Sequence, residues 1–181
     1  MMIRRTLPLI LLVGCSFLSR TKNNFYSLDR LPPAAAVASV PGVAVGIDTL
    51  ELPPGVDRRE IVVRQAGHLV DVRSTEQWSA PFKALVLHTL ASDLASRLPE
   101  GMVIMPGEAK PAGTRPIDVF FEELAVGPDA SVTVDARWTM AAVEHHERIR
   151  VDIPSLDSAN IATGMSQALA ALADRMAAGI K

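Results

Sequence analysis

The sequence predicts an α+β fold with two layers, a largely antiparallel β-sheet and two amphipathic helices packed on one face of it. Two long segments repeat apolar residues every three or four positions, as helices do. Several shorter segments alternate apolar and polar residues, as half-buried antiparallel strands do. Each helix and each strand then has one apolar side, so the two layers can bury each other.

The first predicted strands lie in the region that follows Gly42. One run alternates and then changes parity, which predicts a strand with a bulge; its apolar residues are Val43, Val45, Ile47, Leu50 and Leu52. Residues 61–64 and 68–73 are two short β-rich runs separated by Gly67. They predict a hairpin.

The first helix is predicted between Ala80 and Leu98, with Pro81 in its first turn and Pro99 beyond its end. Its apolar residues recur at helical spacing: Phe82, Leu85, Val86, Leu90, Leu94 and Leu98.

Three alternating runs between the two helices predict antiparallel strands, and Gly127-Pro128-Asp129 is the predicted turn between the first two. Their apolar positions are Ile117, Val119 and Phe121, then Val132, Val134, Ala136, Trp138 and Met140, then Ile149, Val151 and Ile153.

The second helix is predicted from about Asp157 to Ala178, with Ser155 or Ser158 as its cap. Its apolar stripe consists of Ile161, Met165, Leu169, Leu172 and Met176.

The start of the chain has the layout of a secretory signal peptide. Arg4 and Arg5 precede an apolar run that is shorter than the roughly 20 residues of a membrane-spanning helix. The run ends in Leu12, Val13, Gly14 and Cys15, which resemble the lipobox of bacterial lipoproteins, where the chain is cleaved before the cysteine and the thiol receives a diacylglycerol. The alternative is a buried or free cysteine.

By that resemblance the mature chain begins at Cys15 and is anchored to a membrane by its acyl chains. Ser16 follows the cysteine, where an aspartate usually retains lipoproteins in the inner membrane, so we expect the periplasmic face of the outer membrane. Cys15 is the only cysteine in the sequence, so no intramolecular disulfide can form.

The predicted organisation is a signal peptide over residues 1–14, a lipidated N-terminus and tether over 15–40, and one domain over 41–181. Alternatively, Phe25, Tyr26 and Leu28 pack on the domain as an edge strand and shorten the tether. The net charge is −2 with the leader and −4 without Arg4 and Arg5. This mildly acidic balance argues against nucleic acid as a partner.

The sequence lacks the usual signatures of catalysis and of cofactor or metal binding. It contains no Gly-x-Ser-x-Gly and no glycine-rich phosphate loop. His145 and His146 are adjacent, so on a strand they point to opposite faces, and no chelating spacing accompanies them. We therefore expect neither an enzyme, nor a cofactor, nor a metal site.

Two features have both a docking and a structural interpretation. Asp57 and Arg58 lie in a charged loop before a strand, where they could contact a partner or steady the strand with an ion pair. Trp78 precedes the first helix, where it could anchor an interface or close the end of the core.

Three stretches together resemble the ABC-type transport auxiliary lipoprotein family, the group that includes PqiC. They are FYSL from Phe25 to Leu28, VGIDTLELPPGVDRREIVVR from Val45 to Arg64, and QWSAPFKALVLHTLASDLASRL from Gln77 to Leu98. Members typically show a Tyr-x-Leu, a valine-rich strand followed by Leu-Pro, Asp-Arg and Ile-Val, and a Trp before a long helix. Gly55-Val56 depart from this pattern, because an aromatic residue and a leucine are more usual there.

The resemblance implies a periplasm-facing outer-membrane lipoprotein that is a non-enzymatic accessory of an MCE-type ABC transport system for phospholipid or other hydrophobic cargo. The partner would be an MCE-domain protein that spans the periplasm, and Asp57, Arg58 and Trp78 become candidate docking residues. Members can self-associate, so a homo-oligomer is one arrangement that it implies. Two other functions stay open: a free-standing periplasmic carrier of lipid or another hydrophobic ligand, and a structural lipoprotein of envelope assembly.

Overall fold

The computed structural model describes residues 22–34 and 42–180. The predicted signal peptide, the lipobox residues Leu12, Val13 and Gly14, and the predicted lipidation site Cys15 lie outside these ranges. Among the residues described, no helix is long and apolar enough to cross a bilayer.

The predicted α+β fold is confirmed. The helices are α1 (Phe82–Ala95) and α2 (Ser158–Gly179). The strands are β1 (Asn24–Tyr26), β2 (Val45–Glu51), β3 (Glu60–Arg64), β4 (Val70–Trp78), β5 (Val103–Ile104), β6 (Arg115–Gly127), β7 (Ser131–Met140) and β8 (Val143–Asp152). They form two sheets, one of three strands and one of five, and most of the paired residues belong to antiparallel pairs.

The five-stranded sheet has the order β5-β2-β6-β7-β8. Strands β6, β7 and β8 form the expected antiparallel meander, and residues 128–130 make the turn between β6 and β7. Strand β2 lies parallel to β5 and β6, and its register shifts between Ile47 and Thr49, which confirms the predicted bulge. Its pairing with β6 ends at Phe120, so the second half of β6 has no strand on that side.

The three-stranded sheet has the order β1-β4-β3. Strands β3 and β4 form the predicted hairpin, and β1 lies parallel to the far end of β4, with Asn24 opposite Glu76 and Tyr26 opposite Trp78. Leu28 is buried in the core. Part of the segment predicted as a tether therefore packs on the domain as an edge strand.

Both helices cover one side of the five-stranded sheet. Helix α2 packs on β7 and β8, and α1 lies beside α2, over β2 and β5. The contact of α2 with the sheet is close: a Cβ atom on Gly164 would overlap Ile153, and one on Gly179 would lie 2.9 Å from Trp138. The opposite side of the sheet carries charged residues, among them Glu122, Arg137 and Arg148.

The helix ends lie within a few residues of their predicted positions. Pro81 is the N-cap residue of α1, which ends at Ala95 rather than Leu98. Asp157 is the N-cap residue of α2, and the hydroxyl of Ser155 accepts a hydrogen bond from the Asp157 N–H at 3.2 Å.

Candidate docking loop and apolar cavity

The loop between β2 and β3 contains the charged motif that the sequence singled out. Its turn begins with a hydrogen bond from the Val56 N–H to the Pro53 carbonyl, and Gly55 has a φ of 80°, which suits glycine. Asp57 Oδ1 accepts the backbone N–H of Lys83 at 3.0 Å. Since the first N–H groups of a helix lack partners within the helix, this bond fastens the loop to the start of α1.

Arg58 and Glu60 form an exposed pair at the end of this loop. Arg58 Nε lies 3.5 Å from Glu60 Oε2, and the two side chains are 44% and 32% exposed. An exposed pair of this kind contributes only about 0 to 1 kcal/mol. The guanidinium of Arg58 is therefore only weakly held and is open to other anions.

Trp78 lies beneath the loop, in the core. It is 3% exposed and stacks on Phe82, with 4.8 Å between the ring centroids. Its backbone N–H donates to the Arg59 carbonyl at 2.7 Å. Trp78 thus joins β4 to α1 through its indole and to the loop through its backbone.

A cavity of about 250 Å³ lies next to this loop, at the junction of the two sheets. It is bounded by β3, by the second half of β6 where β2 no longer pairs, and by the N-terminal turns of α2. Trp78 and Phe82 belong to its wall, and Arg58, Glu60 and Arg64 also line it. Sequence reasoning missed this cavity because its lining comes from segments far apart in the chain, and no local pattern signals it.

A second group of charges lies buried between the helices. Arg97, 4% exposed, donates from Nε to Asp174 Oδ1 at 2.7 Å, and its Nη1 lies 3.5 Å from Asp93 Oδ1. The same guanidinium donates to the Leu31 carbonyl at 3.2 Å, and the Leu31 N–H donates to Asp93 at 2.8 Å. This cluster ties the N-terminal segment to both helices.

Burial raises the pKa of the Asp93 carboxyl from 3.8 to about 6, although the Leu31 N–H and Arg97 act in the opposite direction. The sequence held a signal for this cluster that we did not use. Asp93 follows Leu90 by three positions and Arg97 follows Leu94 by three, so both charges lie on the apolar stripe of the predicted helix.

The two histidines point to opposite sides of β8. His145 stacks on Trp138, with ring centroids 3.9 Å apart. His146 contacts Asp135 on the charged face, where Glu122, Asp135 and His146 offer ligand atoms within 4.8 Å of one another. Arg137 already pairs with Glu122 at 2.7 Å and Arg148 with Asp135 at 3.5 Å, so each carboxylate has a cationic side chain as a partner.

Known structures share this fold. An uncharacterised protein of known crystal structure superposes with a TM-score of 0.72 at 13% identity, over 88% of this chain and 99% of that one. Protein XCC0632 from Xanthomonas campestris superposes with a TM-score of 0.63 at 14% identity, over 85% of this chain and 92% of its own. A comparison with curated proteins gives no match.

The family comparison covers both sheets, both helices and the loop between β2 and β3 together. The family model for the ABC-type transport auxiliary lipoprotein component matches residues 26–177, from the last residue of β1 almost to the end of α2. The resemblance noted in the sequence is thereby confirmed, and the chain belongs to the family of ABC-type transport auxiliary lipoprotein components.

Proposed function

We propose that this protein is a non-enzymatic accessory of an MCE-type ABC transport system that moves lipid between the two membranes of a bacterial envelope. The observation that carries the proposal is the family match over residues 26–177, which spans almost all of the described domain. The domain is held on the periplasmic face of the outer membrane by acyl chains on Cys15. From there it receives the far end of a periplasm-spanning MCE-domain protein.

The loop from Pro53 to Glu60 is the contact surface that we propose for this partner. Arg58 is nearly half exposed and only weakly paired, so it can exchange Glu60 for an acidic group of the partner. Asp57 and Trp78 have supporting roles, because one is bonded to α1 and the other is buried under the loop.

The membrane anchor is tested first. We expect Cys15→Ser to release a folded domain into the soluble periplasmic fraction and to abolish transport, because the thiol that carries the lipid is gone. Mass spectrometry of the native N-terminus should find a diacylglyceryl thioether on Cys15. A Cys15→Ser protein that still sediments with membranes, or a native protein with a free thiol or an intact leader, would contradict the anchor.

The docking loop is tested by charge reversal. We expect Arg58→Glu to abolish co-purification of the MCE-domain protein from solubilised membranes, with the partner identified by mass spectrometry. Arg137→Glu is the matched control, since Arg137 is 48% exposed but lies on the far, charged side of the five-stranded sheet. If both variants retain the partner equally, the loop is not the docking surface.

A further inference from the structure

The cavity beside the docking loop has the character of a site for a small ligand. Six apolar residues of its wall are at most 4% exposed, namely Trp78, Phe82, Leu124, Val126, Ile161 and Met165. The cavity measures about 250 Å³, which is larger than the water-sized voids of a close-packed core. These six side chains make one part of its lining apolar, and an apolar group matches that part.

The rim of the cavity adds a charge preference. Arg58 and Arg64 line it together with a single acidic residue, Glu60. Arg58 is weakly paired with Glu60, and Arg64 pairs with Glu123, which lies outside the lining. The weakly held guanidinium of Arg58 is the one more open to an anionic head group, because arginine binds carboxylates and phosphates through paired N–H donors.

We propose that this cavity binds one single-chain anionic amphiphile, with its acyl chain against Trp78 and its carboxylate or phosphate at Arg58 and Arg64. The volume lies below the roughly 300 to 1,000 Å³ of typical ligand pockets, which fits one chain and excludes the two chains of a diacyl lipid. A small concave site of this kind also differs from a protein interface, which buries about 800 Å² on each partner. The site belongs to the domain alone and does not depend on the docking role.

The two tryptophans of the chain allow a direct test. Trp78 lines the cavity, whereas Trp138 is fully buried elsewhere, stacked on His145. The probe is 12-bromododecanoate, kept below its micellar concentration, because bromine quenches indole fluorescence only at short range. We expect saturable quenching in Trp138→Phe, where Trp78 is the sole reporter, and none in Trp78→Phe. Equal quenching in both variants, or none in either, would overturn the proposal.

Two properties of the amphiphile, its chain length and its head group, distinguish binding at a specific site from nonspecific adsorption to the protein surface. From octanoate to dodecanoate, we expect affinity to rise roughly fourfold per methylene and to level off once the cavity is filled. Dodecanoate and dodecyl phosphate should both bind at least tenfold more tightly than dodecanol or dodecyltrimethylammonium. Tighter binding of dodecanoate would identify the natural ligand as a fatty acid, and tighter binding of dodecyl phosphate would identify it as a lysophospholipid. Indifference to the charge of the head would contradict the role of the arginines.

Two pairs of variants complete the test. Val62 is half-buried and lines the cavity, so Val62→Phe should weaken dodecanoate binding at least tenfold, whereas Val151→Phe, on β8 and outside the lining, should leave it unchanged. Arg58→Gln with Arg64→Gln should weaken it similarly, and Arg137→Gln should not. Circular dichroism verifies folding. If amphiphiles fail to bind and Val62→Phe instead prevents co-purification of the MCE-domain protein, the cavity receives a protein side chain and the proposal is wrong.

Discussion

Helix α2 is held on its two sides by different kinds of contact. Toward the sheet the contact is apolar and so close that Gly164 has no room for a methyl group. Toward α1 the contact includes a buried arginine, Arg97, which follows the end of α1 and joins Asp93 of α1 to Asp174 of α2. Close apolar packing therefore positions the side of α2 that faces the sheet, and ionic contacts help to position the side that faces α1.

The difference shows what each contact can do for the fold. Apolar packing stabilises the pair of layers but does not discriminate strongly among similar apolar surfaces. The charged cluster recruits a third element, because Arg97 and Asp93 also bond the backbone of Leu31. The N-terminal segment is thus attached to the same charged cluster that joins α2 to α1.

Removal of Arg97 should weaken the contact between α2 and α1 more than any other single change. Arg97→Ala should lower the free energy of unfolding by roughly 3 to 5 kcal/mol at pH 7.5, because Asp93 then remains buried without a cation. The loss should be smaller at pH 5, where the Asp93 carboxyl is protonated. Urea denaturation at both pH values measures this, and a loss below about 1 kcal/mol would contradict the importance of the cluster.

The pH dependence of stability isolates Asp93 itself. The pKa of its carboxyl is about 6 in the folded protein and 3.8 in the unfolded chain, so between these values the folded protein binds the additional proton. Stability should therefore fall as pH rises from about 4 to 6, by about 3 kcal/mol from this group, and then level off. Asp93→Asn should remove that fall and be more stable than the wild type at pH 7.5. An unchanged pH profile in Asp93→Asn would assign the fall to other groups.

The contact between α2 and the sheet is probed by adding one methyl group to α2. Gly164→Ala should destabilise the protein by about 1 to 2 kcal/mol, since overlap with Ile153 outweighs the better helix propensity of alanine. Thr163→Ala, at the exposed neighbouring position, should change stability by less than about 0.5 kcal/mol. Thermal unfolding of the two variants compares them directly, and a stabilised Gly164→Ala would show that the helix and sheet are not in close contact.

The turn between β7 and β8 lies outside both contacts of α2, so a substitution there serves as a reference for the stability changes at those contacts. Ala141 and Ala142 have φ values of 50° and 63°, a pair that asparagine and glycine adopt more readily in two-residue hairpins. Ala141→Asn combined with Ala142→Gly should stabilise the protein by about 1 kcal/mol and leave the pH profile unchanged. Loss of stability on urea denaturation would show that the turn has a different shape.

Local patterns predicted most of the elements. The three-and-four spacing from Phe82 to Leu94 identified α1, and alternation from Val132 to Met140 identified β7, because each pattern reflects one buried side. The bulge in β2 was also visible, since a change of parity can be read without knowing the partner strand.

Features that depend on distant segments were not predicted. Alternation tells which side of a strand is buried and not which strand it pairs with, so the division into two sheets and the parallel pairing of β2 with β6 were missed. The cavity was missed for the same reason. Asp93 and Arg97 were not singled out in the sequence, because a buried pair and a solvated pair at i, i+4 have the same spacing.

The route of the chain from β1 to Leu31 also has a mechanical meaning. A pull on the polypeptide upstream of Asn24 meets the three paired residues of β1 first, then Leu28, and then the bonds from Asp29 to Ser166 and from Leu31 to Asp93. These contacts are loaded one after another, so tension should detach the segment in steps while the remaining core stays folded. Optical tweezers attached at the two termini should record this as an early lengthening of at most about 40 Å for residues 24–34, which is their full extended length. A single rupture of the whole domain would show instead that the segment and the core yield together.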